Sequence, residues 1–280
     1  MSVASPAQAP ACGAQNLTKV FGEGGPRPVV AVDDVSFAIP AGETLALVGE
    51  SGSGKTTIGQ CLVRLLDSDS GSIVFKNRDI LGLPASAFRA MRRDIQMVFQ
   101  EPYVALNPRW TVEDLIAEPL ALDAELASPA AKRARVREML DLVRLPERLA
   151  RVFPHELTAG EQKRVGMARA LATRPAFVVF DEPTTALDIR VRAQIIDLIR
   201  DLQSRMQLAA LFITHDLNSV RSLAHTVAVM RNGRIVERGE TERIFATPEN
   251  DYTRMLLGAE LPIERRRGPG RMASELGVIG

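Results

Sequence analysis

The chain has 280 residues, of which 46% are hydrophobic and 25% are charged, and its formal net charge is +1. A chain of this length and composition can bury a full globular core, and its net charge gives no overall field that would attract nucleic acid or anionic lipid. The two cysteines, Cys12 and Cys61, supply neither a disulfide framework nor a metal cluster. No apolar run approaches the ~20 residues of a membrane-spanning helix, and the N-terminus lacks a secretory signal. These observations predict a soluble, cytoplasmic protein.

The first third of the chain is predicted to contain a flexible leader, several strands and one helix. Residues 1–13 are rich in Ala, Pro and Ser, a composition typical of a flexible segment. Alternating apolar residues predict a strand over Val32–Ile39. The continuous apolar run Thr44–Val48 predicts a buried strand, which leads through a glycine-rich turn into a helix beginning near Lys55. Further strands are predicted over Ser72–Phe75 and Asp94–Phe99.

The segment over about 102–173 changes to helical periodicity. Its clearest stretch places Val136, Met139, Leu140 and Val143 on one face of a helix. Strands and helices then alternate again, which predicts a mixed α/β core with a helical insertion. The later predicted elements are strands over Ala176–Phe180, Ala209–Ile213, Val227–Met230 and Arg234–Glu237, and helices over about 190–206 and 217–224. We therefore expect one domain over 14–260 and a flexible tail over 261–280.

A glycine-rich segment after Thr44–Val48 matches the phosphate-binding motif G-x-x-x-x-G-K-[ST] in full. Glycines let the backbone wrap closely around phosphates, and the following helix N-terminus adds a positive dipole. Lys55 is predicted to bind the β- and γ-phosphates, and the Thr56 hydroxyl to coordinate Mg²⁺. The motif by itself does not separate a kinase, a GTPase, a helicase or a transporter ATPase. The predicted nucleotide-binding residues here are Gly49, Glu50, Ser51, Gly52, Ser53, Gly54, Lys55, Thr56 and Thr57.

Two acidic residues and a histidine follow neighbouring apolar strands farther along the chain. Asp181 and Glu182 come directly after the run ending at Phe180, and His215 lies just beyond the strand ending at Ile213. Ligands bind at the carboxyl edge of open α/β sheets. Asp181 is therefore predicted to hold Mg²⁺, Glu182 to act as general base, and His215 to hydrogen-bond the γ-phosphate. Alternatively, the acids only cap a helix or face solvent, and His215 is an ordinary surface residue.

The segment Leu157-Thr158-Ala159-Gly160-Glu161 resembles the signature sequence of ABC ATPases. Together with the phosphate motif, Gln100, the acid pair, Ala186-Leu187-Asp188 and His215, it gives the motif set of that family in the family's order, over roughly residues 15–258. The resemblance implies a P-loop NTPase ABC core with an antiparallel β lobe and a helical subdomain over about 102–173. It also implies that the chain binds ATP and Mg²⁺, and that it is an ATPase.

The same resemblance implies roles for individual residues. Glu182 and His215 would be catalytic, and Gln100 would join Mg²⁺ and the γ-phosphate to the helical subdomain. The signature residues 157–161 and Asp188 would bind ATP held by a second ATPase subunit in a head-to-tail dimer. Phe21 lies where the family places an aromatic residue that stacks on adenine, and the alternative is an ordinary core phenylalanine.

The signature departs from the usual LSGGQ form at two positions that bear on phosphate binding. Ala159 replaces a glycine and adds a methyl group, and Glu161 replaces glutamine. A carboxylate close to a polyphosphate is electrostatically unfavourable unless it points away. We therefore expect a weakened signature, completed in function by a partner with a stronger one, and both a homodimer and a heterodimer remain open.

Two further stretches resemble the ATPases of oligopeptide, dipeptide and nickel importers, especially their second, F-type subunit. They are the stretch from Glu101 to Leu120 and the stretch from Thr247 to Leu257. This resemblance implies a chain on the inner face of the cell membrane that works with a second ABC ATPase, two membrane permease subunits and a periplasmic or extracellular solute-binding protein. It implies no nucleic-acid partner, and it leaves peptides, nickel chelates and other small solutes open as substrates.

Other ABC proteins provide alternative interpretations. An accessory ABC ATPase of a soluble complex, as in phosphonate cleavage, translation or repair, would carry many of the same motifs. The single cassette and the lack of a long coiled-coil insertion disfavour the translation and repair classes. A nucleotide switch that does not hydrolyse ATP is disfavoured because Glu182 and His215 are both present.

Overall fold

The computed structural model describes residues 11–22, 27–122, 126 and 128–260; residues 1–10 of the expected leader and the expected tail at 261–280 lie outside them. The described residues form a four-stranded sheet, a six-stranded sheet and a set of helices, as the predicted α/β class requires. The strands are β1 (Cys12–Phe21), β2 (Val29–Ile39), β3 (Thr44–Val48), β4 (Ser70–Phe75), β5 (Arg78–Asp79), β6 (Ile95–Val98), β7 (Phe177–Asp181), β8 (Ala209–Ile213), β9 (Thr226–Arg231) and β10 (Arg234–Glu240). The α-helices are α1 (Lys55–Leu62), α2 (Ala85–Met91), α3 (Pro102–Ala105), α4 (Val112–Ala117), α5 (Pro129–Leu142), α6 (Ala159–Leu171), α7 (Ile189–Met206), α8 (Leu217–Leu223), α9 (Thr241–Ala246) and α10 (Asp251–Glu260), and short 3-10 helices cover Glu118–Leu122, Glu147–Arg151 and Pro154–Glu156.

The six-stranded sheet brings the ends of several strands to one edge. Its strand order is β10-β9-β3-β8-β7-β6, and all neighbouring pairs from β9 to β6 are parallel. Every residue of β3, β7 and β8 is buried, which is why continuous apolar runs mark these strands in the sequence. Because the carboxyl ends of parallel strands share an edge, the segments that follow β3, β7 and β8 meet there.

The four-stranded antiparallel sheet has the order β2-β1-β4-β5 and contains a strand that the sequence did not predict. Cys12 of β1 pairs with Ile39 on one side and with Phe75 on the other. The expected end of the leader at residue 13 is therefore wrong by two residues, because Cys12 and Gly13 already belong to β1. Shifts of register between Ala14 and Leu17 interrupt the alternation of apolar residues that would have revealed the strand.

The helical insertion has an apolar core that is continuous with the sheet. Val136, Met139, Leu140 and Val143 are buried, which confirms the predicted apolar face of α5. They belong to one cluster with residues of α6, α7, β7 and β8. Helix α6 is thus packed against both the helical insertion and the six-stranded sheet.

The C-terminal helix α10 covers another part of the sheet. Its residues Tyr252, Leu256 and Leu257 are buried and share a cluster with Ala46 and Val48 of β3. The end of the described chain is therefore anchored to the strand that leads into the phosphate motif. Among the helices of the described residues, none combines the length and the apolar character that crossing a membrane requires.

Candidate functional site

A cavity of about 510 Å³ lies where the segments after β3, β7 and β8 meet. It contains residues of the phosphate motif together with Gln100, Glu182 and His215, so the structure brings together predicted residues from four separate segments of sequence. Ala31 of β2 and Thr185 also line it, and the sequence did not single them out. The complete lining is Ala31, Ser51, Gly52, Gly54, Lys55, Thr56, Thr57, Gln100, Glu182, Thr185 and His215.

The phosphate loop has a backbone shape that requires glycine at two positions. Gly49 and Gly54 have φ values of 148° and 103°, in the region that disfavours side chains. A Cβ atom on Gly54 would lie 2.1 Å from the carbonyl oxygen of Ala31, and one on Gly49 would lie 2.2 Å from that of Met230. The loop is therefore seated directly against the backbones of β2 and β9.

The side chain of Lys55 lies inside this loop. Its ammonium group donates hydrogen bonds to the carbonyl oxygens of Gly49 at 2.8 Å and Glu50 at 2.7 Å, and to Ser53 Oγ at 3.3 Å. Burial lowers the pKa of Lys55, while the nearby acids, led by Glu182, act in the opposite direction. The loop thus wraps around the lysine through these three acceptors, which belong to Gly49, Glu50 and Ser53. Lys55 also lines the cavity, and the other three residues do not.

Thr56 and Asp181 form a pair of oxygen groups beside the loop. The Thr56 hydroxyl donates to Asp181 Oδ1 at 3.0 Å. Burial raises the pKa of Asp181 to about 6, the Thr56 hydrogen bond lowers it, and the charge of Glu182 raises it further. These oxygens suit Mg²⁺, a hard cation that favours carboxylate and hydroxyl ligands. Within the described residues no group of three or more His, Cys, Asp or Glu side chains is arranged to hold a metal ion.

The raised pKa of Asp181 predicts a pH-dependent stability in the absence of nucleotide and Mg²⁺. The unfolded chain releases this proton near pH 3.8, and the folded chain retains it up to about pH 6. The folded state binds more protons in that window, so the contribution of Asp181 to stability falls as the pH rises through it. Relative to Asp181→Asn, the wild-type chain should lose on the order of 1 to 3 kcal/mol between about pH 4 and pH 7. Urea unfolding of both proteins across this range measures the difference, and parallel stability curves would contradict the assignment.

The Glu182 carboxylate lies at the centre of a polar cluster. Glu182 Oε2 accepts hydrogen bonds from Gln100 Nε2 at 3.1 Å and Thr185 Oγ1 at 2.8 Å, and lies 3.6 Å from His215 Nδ1. The backbone of Glu182 has a left-handed φ of 42°, and its N–H donates to the Ile213 carbonyl at 2.9 Å. The carboxylate is thereby fixed toward the cavity, in a position suited to accept a proton from a water molecule there.

Lys163 connects helix α6 to this cluster, a role that the sequence analysis missed. It is 4% exposed, and its ammonium donates to the Gln100 carbonyl oxygen and, at 3.5 Å, to that of Glu182. Burial lowers the pKa of Lys163, and the charges of Glu182 and Asp181 oppose this shift. Its only signal in the sequence is a lysine on a helix face that also carries apolar residues, a pattern common to many surface lysines.

The signature residues lie at the N-terminus of α6 and do not line the cavity of their own chain. Thr158 caps the helix: Glu161 N–H donates to its hydroxyl at 3.3 Å, and the Glu161 carboxylate accepts from the Thr158 N–H at 2.9 Å and hydroxyl at 2.7 Å. These hydrogen bonds lower the pKa of Glu161.

The first turn of α6 also packs closely against α7, since a Cβ atom on Gly160 would lie 2.7 Å from Val191 Cγ1. The helix begins at Ala159, and Leu157 is buried.

Five other predicted nucleotide-binding residues lie outside the lining of the cavity: Gly49, Glu50 and Ser53 of the phosphate loop, and Asp188 and Phe21. Asp188 caps α7, where its Oδ1 accepts from the N–H groups of Arg190 and Val191 at 3.0 Å. Phe21 ends β1 and is 43% exposed, with the Lys19 ammonium 5.7 Å from the ring centroid. The interpretation of Phe21 as a core residue is therefore wrong, and adenine stacking stays a prediction.

Several curated proteins are similar to this chain over most of its length. The dipeptide transport ATP-binding protein DppF of Lactococcus lactis is 42% identical over 91% of this chain and 84% of its own length. The oligopeptide transport ATP-binding protein OppF of the same species is 43% identical over 82% of this chain and 72% of its own length. The peptidoglycan transport ATP-binding protein YejF of Agrobacterium fabrum is 45% identical over 90% of this chain, which spans only 47% of that relative.

Solved structures and a family profile complete the comparison. A dimeric ATP-binding cassette in a post-hydrolysis state with ADP and Pi aligns with a TM-score of 0.76 at 30% identity, over 82% of this chain and 98% of that one. The cbiO1 protein of Clostridium perfringens, part of an ABC transporter complex, aligns with a TM-score of 0.75 at 28% identity, over 86% and 93%. The profile of the ABC transporter family matches residues 32–185, more than half of the chain. This chain therefore belongs to the ABC transporter family, among its ATP-binding proteins.

Proposed function

We propose that this chain is the ATPase subunit of an importer, and that it energises the uptake of peptides or related small solutes through an ABC permease. The observation that carries this proposal is the cavity in which Lys55, Glu182 and His215 meet, with Asp181 hydrogen-bonded to Thr56 beside it. The names of the dipeptide and oligopeptide relatives support peptides as the class of solute. Such a subunit would sit at the cytoplasmic face of the membrane, where ATP is available.

Most of the site residues would bind ATP and Mg²⁺, and Glu182 would transfer a proton. The loop amides and the Lys55 ammonium would bind the phosphates of ATP. Thr56, Asp181 and Gln100 would hold Mg²⁺, which neutralises phosphate charge when bound. Glu182 would take a proton from the attacking water, and His215, on the same wall of the cavity, would hydrogen-bond the terminal phosphate.

The position of the signature supports a site shared between two ATPase subunits. The cavity contains no residue of 157–161, so an ATP bound there would lack any contact with its own chain's signature. A head-to-tail dimer would supply that contact from the second subunit, and a solved relative of this fold is a dimeric cassette. The complete importer would add two permease subunits and a solute-binding protein outside the membrane.

Uptake and co-purification test this proposal together. Cells carrying the wild-type chain should accumulate a labelled peptide mixture, and cells carrying Glu182→Gln at equal expression should not. The affinity-tagged wild-type chain, extracted from membranes, should bring down two permease subunits and a second ABC ATPase. Equal uptake by both strains, or recovery of the chain with soluble enzymes alone, would overturn the importer proposal and favour an accessory ATPase.

The capping interaction of Glu161 predicts that its charge weakens the dimer. In this structure the carboxylate occupies the N-terminus of α6, the place where a partner's terminal phosphate would have to bind. Glutamine supports the same capping geometry without a charge. In a Glu182→Gln background that prevents hydrolysis, Glu161→Gln should strengthen ATP-dependent dimerisation by about tenfold or more, since a nearby like charge is removed. Analytical ultracentrifugation with ATP and Mg²⁺ measures this affinity.

Helix α4 offers a matched control for that experiment. Thr111 and Asp114 form the same reciprocal capping interaction at its N-terminus, outside the signature. Asp114→Asn should therefore leave ATP-dependent dimerisation unchanged. If Glu161→Gln has no more effect than Asp114→Asn, the charge of Glu161 does not weaken the shared site.

A further inference from the structure

Tyr252 reaches the phosphate loop from the C-terminal helix α10. The backbone N–H of Glu50 donates a hydrogen bond to the Tyr252 hydroxyl at 3.3 Å, although the two residues are 202 positions apart. Tyr252 is 4% exposed, and its side chain belongs to the cluster that packs α10 against β3. The contact with the loop is therefore made by a buried, packed side chain whose position is determined by the core.

The segment that precedes α10 fixes Tyr252 in this position. The Tyr252 N–H donates to Asn250 Oδ1 at 2.9 Å. The N–H groups of Glu249 and Asn250 in turn donate to the Glu237 carboxylate of β10, at 2.8 Å and 3.1 Å. The Arg231 guanidinium lies over the Tyr252 ring, 4.8 Å from its centroid. Hydrogen bonds and a cation–π contact thus tie the tyrosine to β9 and β10.

The same region of the sheet supports the loop on its other side. The Met230 carbonyl oxygen, one residue before Arg231, lies so close to Gly49 that a Cβ atom there would approach it to 2.2 Å. The residue after this glycine is Glu50, whose N–H is held by Tyr252. The start of the loop is therefore placed between the end of β9 and the tyrosine hydroxyl.

We propose that Tyr252 is a positioning residue for the phosphate loop, and that it strengthens ATP binding by holding the Glu50 amide. Tyr252 does not line the cavity, so it acts through the loop and makes no contact with nucleotide. The inference rests on the proposed function in one respect, namely that the cavity binds ATP. It assigns the C-terminal segment 249–252 a role in nucleotide affinity in addition to its part in the core.

Tyr252→Phe tests the proposal because it removes the hydroxyl and keeps the ring. The dissociation constant for ATP with Mg²⁺, measured by calorimetry on the full chain, should rise by about two- to tenfold, the range that one hydrogen bond provides. In the assembled transporter, the KM for ATP should rise in the same proportion while kcat stays within about twofold, because the Glu182 cluster is unchanged. Asn250→Ala, which releases the Tyr252 N–H, should shift the affinity in the same direction.

Leu256→Ala provides the control for a general loss of stability. Leu256 lies on the same helix and in the same cluster, but its apolar side chain cannot accept the Glu50 hydrogen bond that Tyr252 accepts, so this variant should lower Tm more than Tyr252→Phe and leave ATP affinity unchanged. Wild-type affinity in Tyr252→Phe would overturn the inference, as would losses of affinity that follow Tm across both variants. Failure of the proposed function would appear in the wild-type chain as an absence of ATP binding, whereas failure of the inference alone would appear as normal ATP binding in both the wild-type chain and Tyr252→Phe.

Discussion

Replacing Glu182 with glutamine is expected to lower ATP turnover by about 10²- to 10⁴-fold and to leave ATP affinity within about threefold of the wild-type value. The amide is nearly isosteric with the carboxylate, so Gln100 and Thr185 can still hydrogen-bond to the side-chain oxygen that replaces Oε2. The amide cannot accept a proton from water, and only the chemical step should be lost. Phosphate release in the assembled transporter measures turnover, and calorimetry measures affinity.

Asp197→Asn is a suitable control for this loss. Asp197 is an exposed carboxylate on α7 that pairs with Arg200 at 3.1 Å and does not line the cavity. Its neutralisation changes the net charge by the same amount as Glu182→Gln and should leave turnover unchanged. Undiminished hydrolysis by Glu182→Gln would show that Glu182 is not the general base, and His215 would then be the next candidate.

The phosphate loop could be predicted from sequence because all of its residues are contiguous. One uninterrupted motif specifies the glycines, the lysine and the threonine, and the backbone conformation of these contiguous residues forms the loop. Asp181, Glu182 and His215 could be predicted because they lie at or just beyond the carboxyl ends of buried strands in a parallel sheet. In contrast, the contacts of Lys163 and Tyr252 with this region depend on how α6 and α10 pack. No local pattern distinguishes these two residues from an ordinary helix lysine or core tyrosine.

The same distinction applies to the fold. The predicted bounds of β3 and β8 agree with the structure at both ends, since a fully buried strand is a continuous apolar run with clear limits. Strand β1 was missed although it is the central partner of β2 and β4, because its shifts of register disrupt the period of two. The charge of Glu161 could be read from the sequence, but its orientation toward Thr158 could not, because glutamate at that position can either cap the helix or face outward.

Replacing Gly54 with alanine should have the largest effect on ATP binding. The new Cβ atom would lie 2.1 Å from the Ala31 carbonyl oxygen, and the φ of 103° disfavours any side chain. Strand β2, which carries Ala31, is held by its pairing with β1, so the phosphate loop must move instead. A displaced loop loses several hydrogen bonds to the phosphates at once, and two such bonds at about 1.5 kcal/mol each correspond to a loss of ATP affinity on the order of 100-fold. Calorimetry with ATP and Mg²⁺ measures this loss.

Gly42→Ala separates the displacement of the loop from the strain of a left-handed residue. Gly42 has a φ of 75°, and a Cβ atom there would first meet the side-chain oxygen of Gln207, at 3.3 Å. Both alanine variants should lower the free energy of unfolding by about 1 to 3 kcal/mol through backbone strain. Only Gly54→Ala should lose ATP affinity, because Gly42 lies in the turn before β3 and does not line the cavity. Comparable affinities in the two variants would mean that the close approach of the loop to β2 is not what shapes the phosphate site.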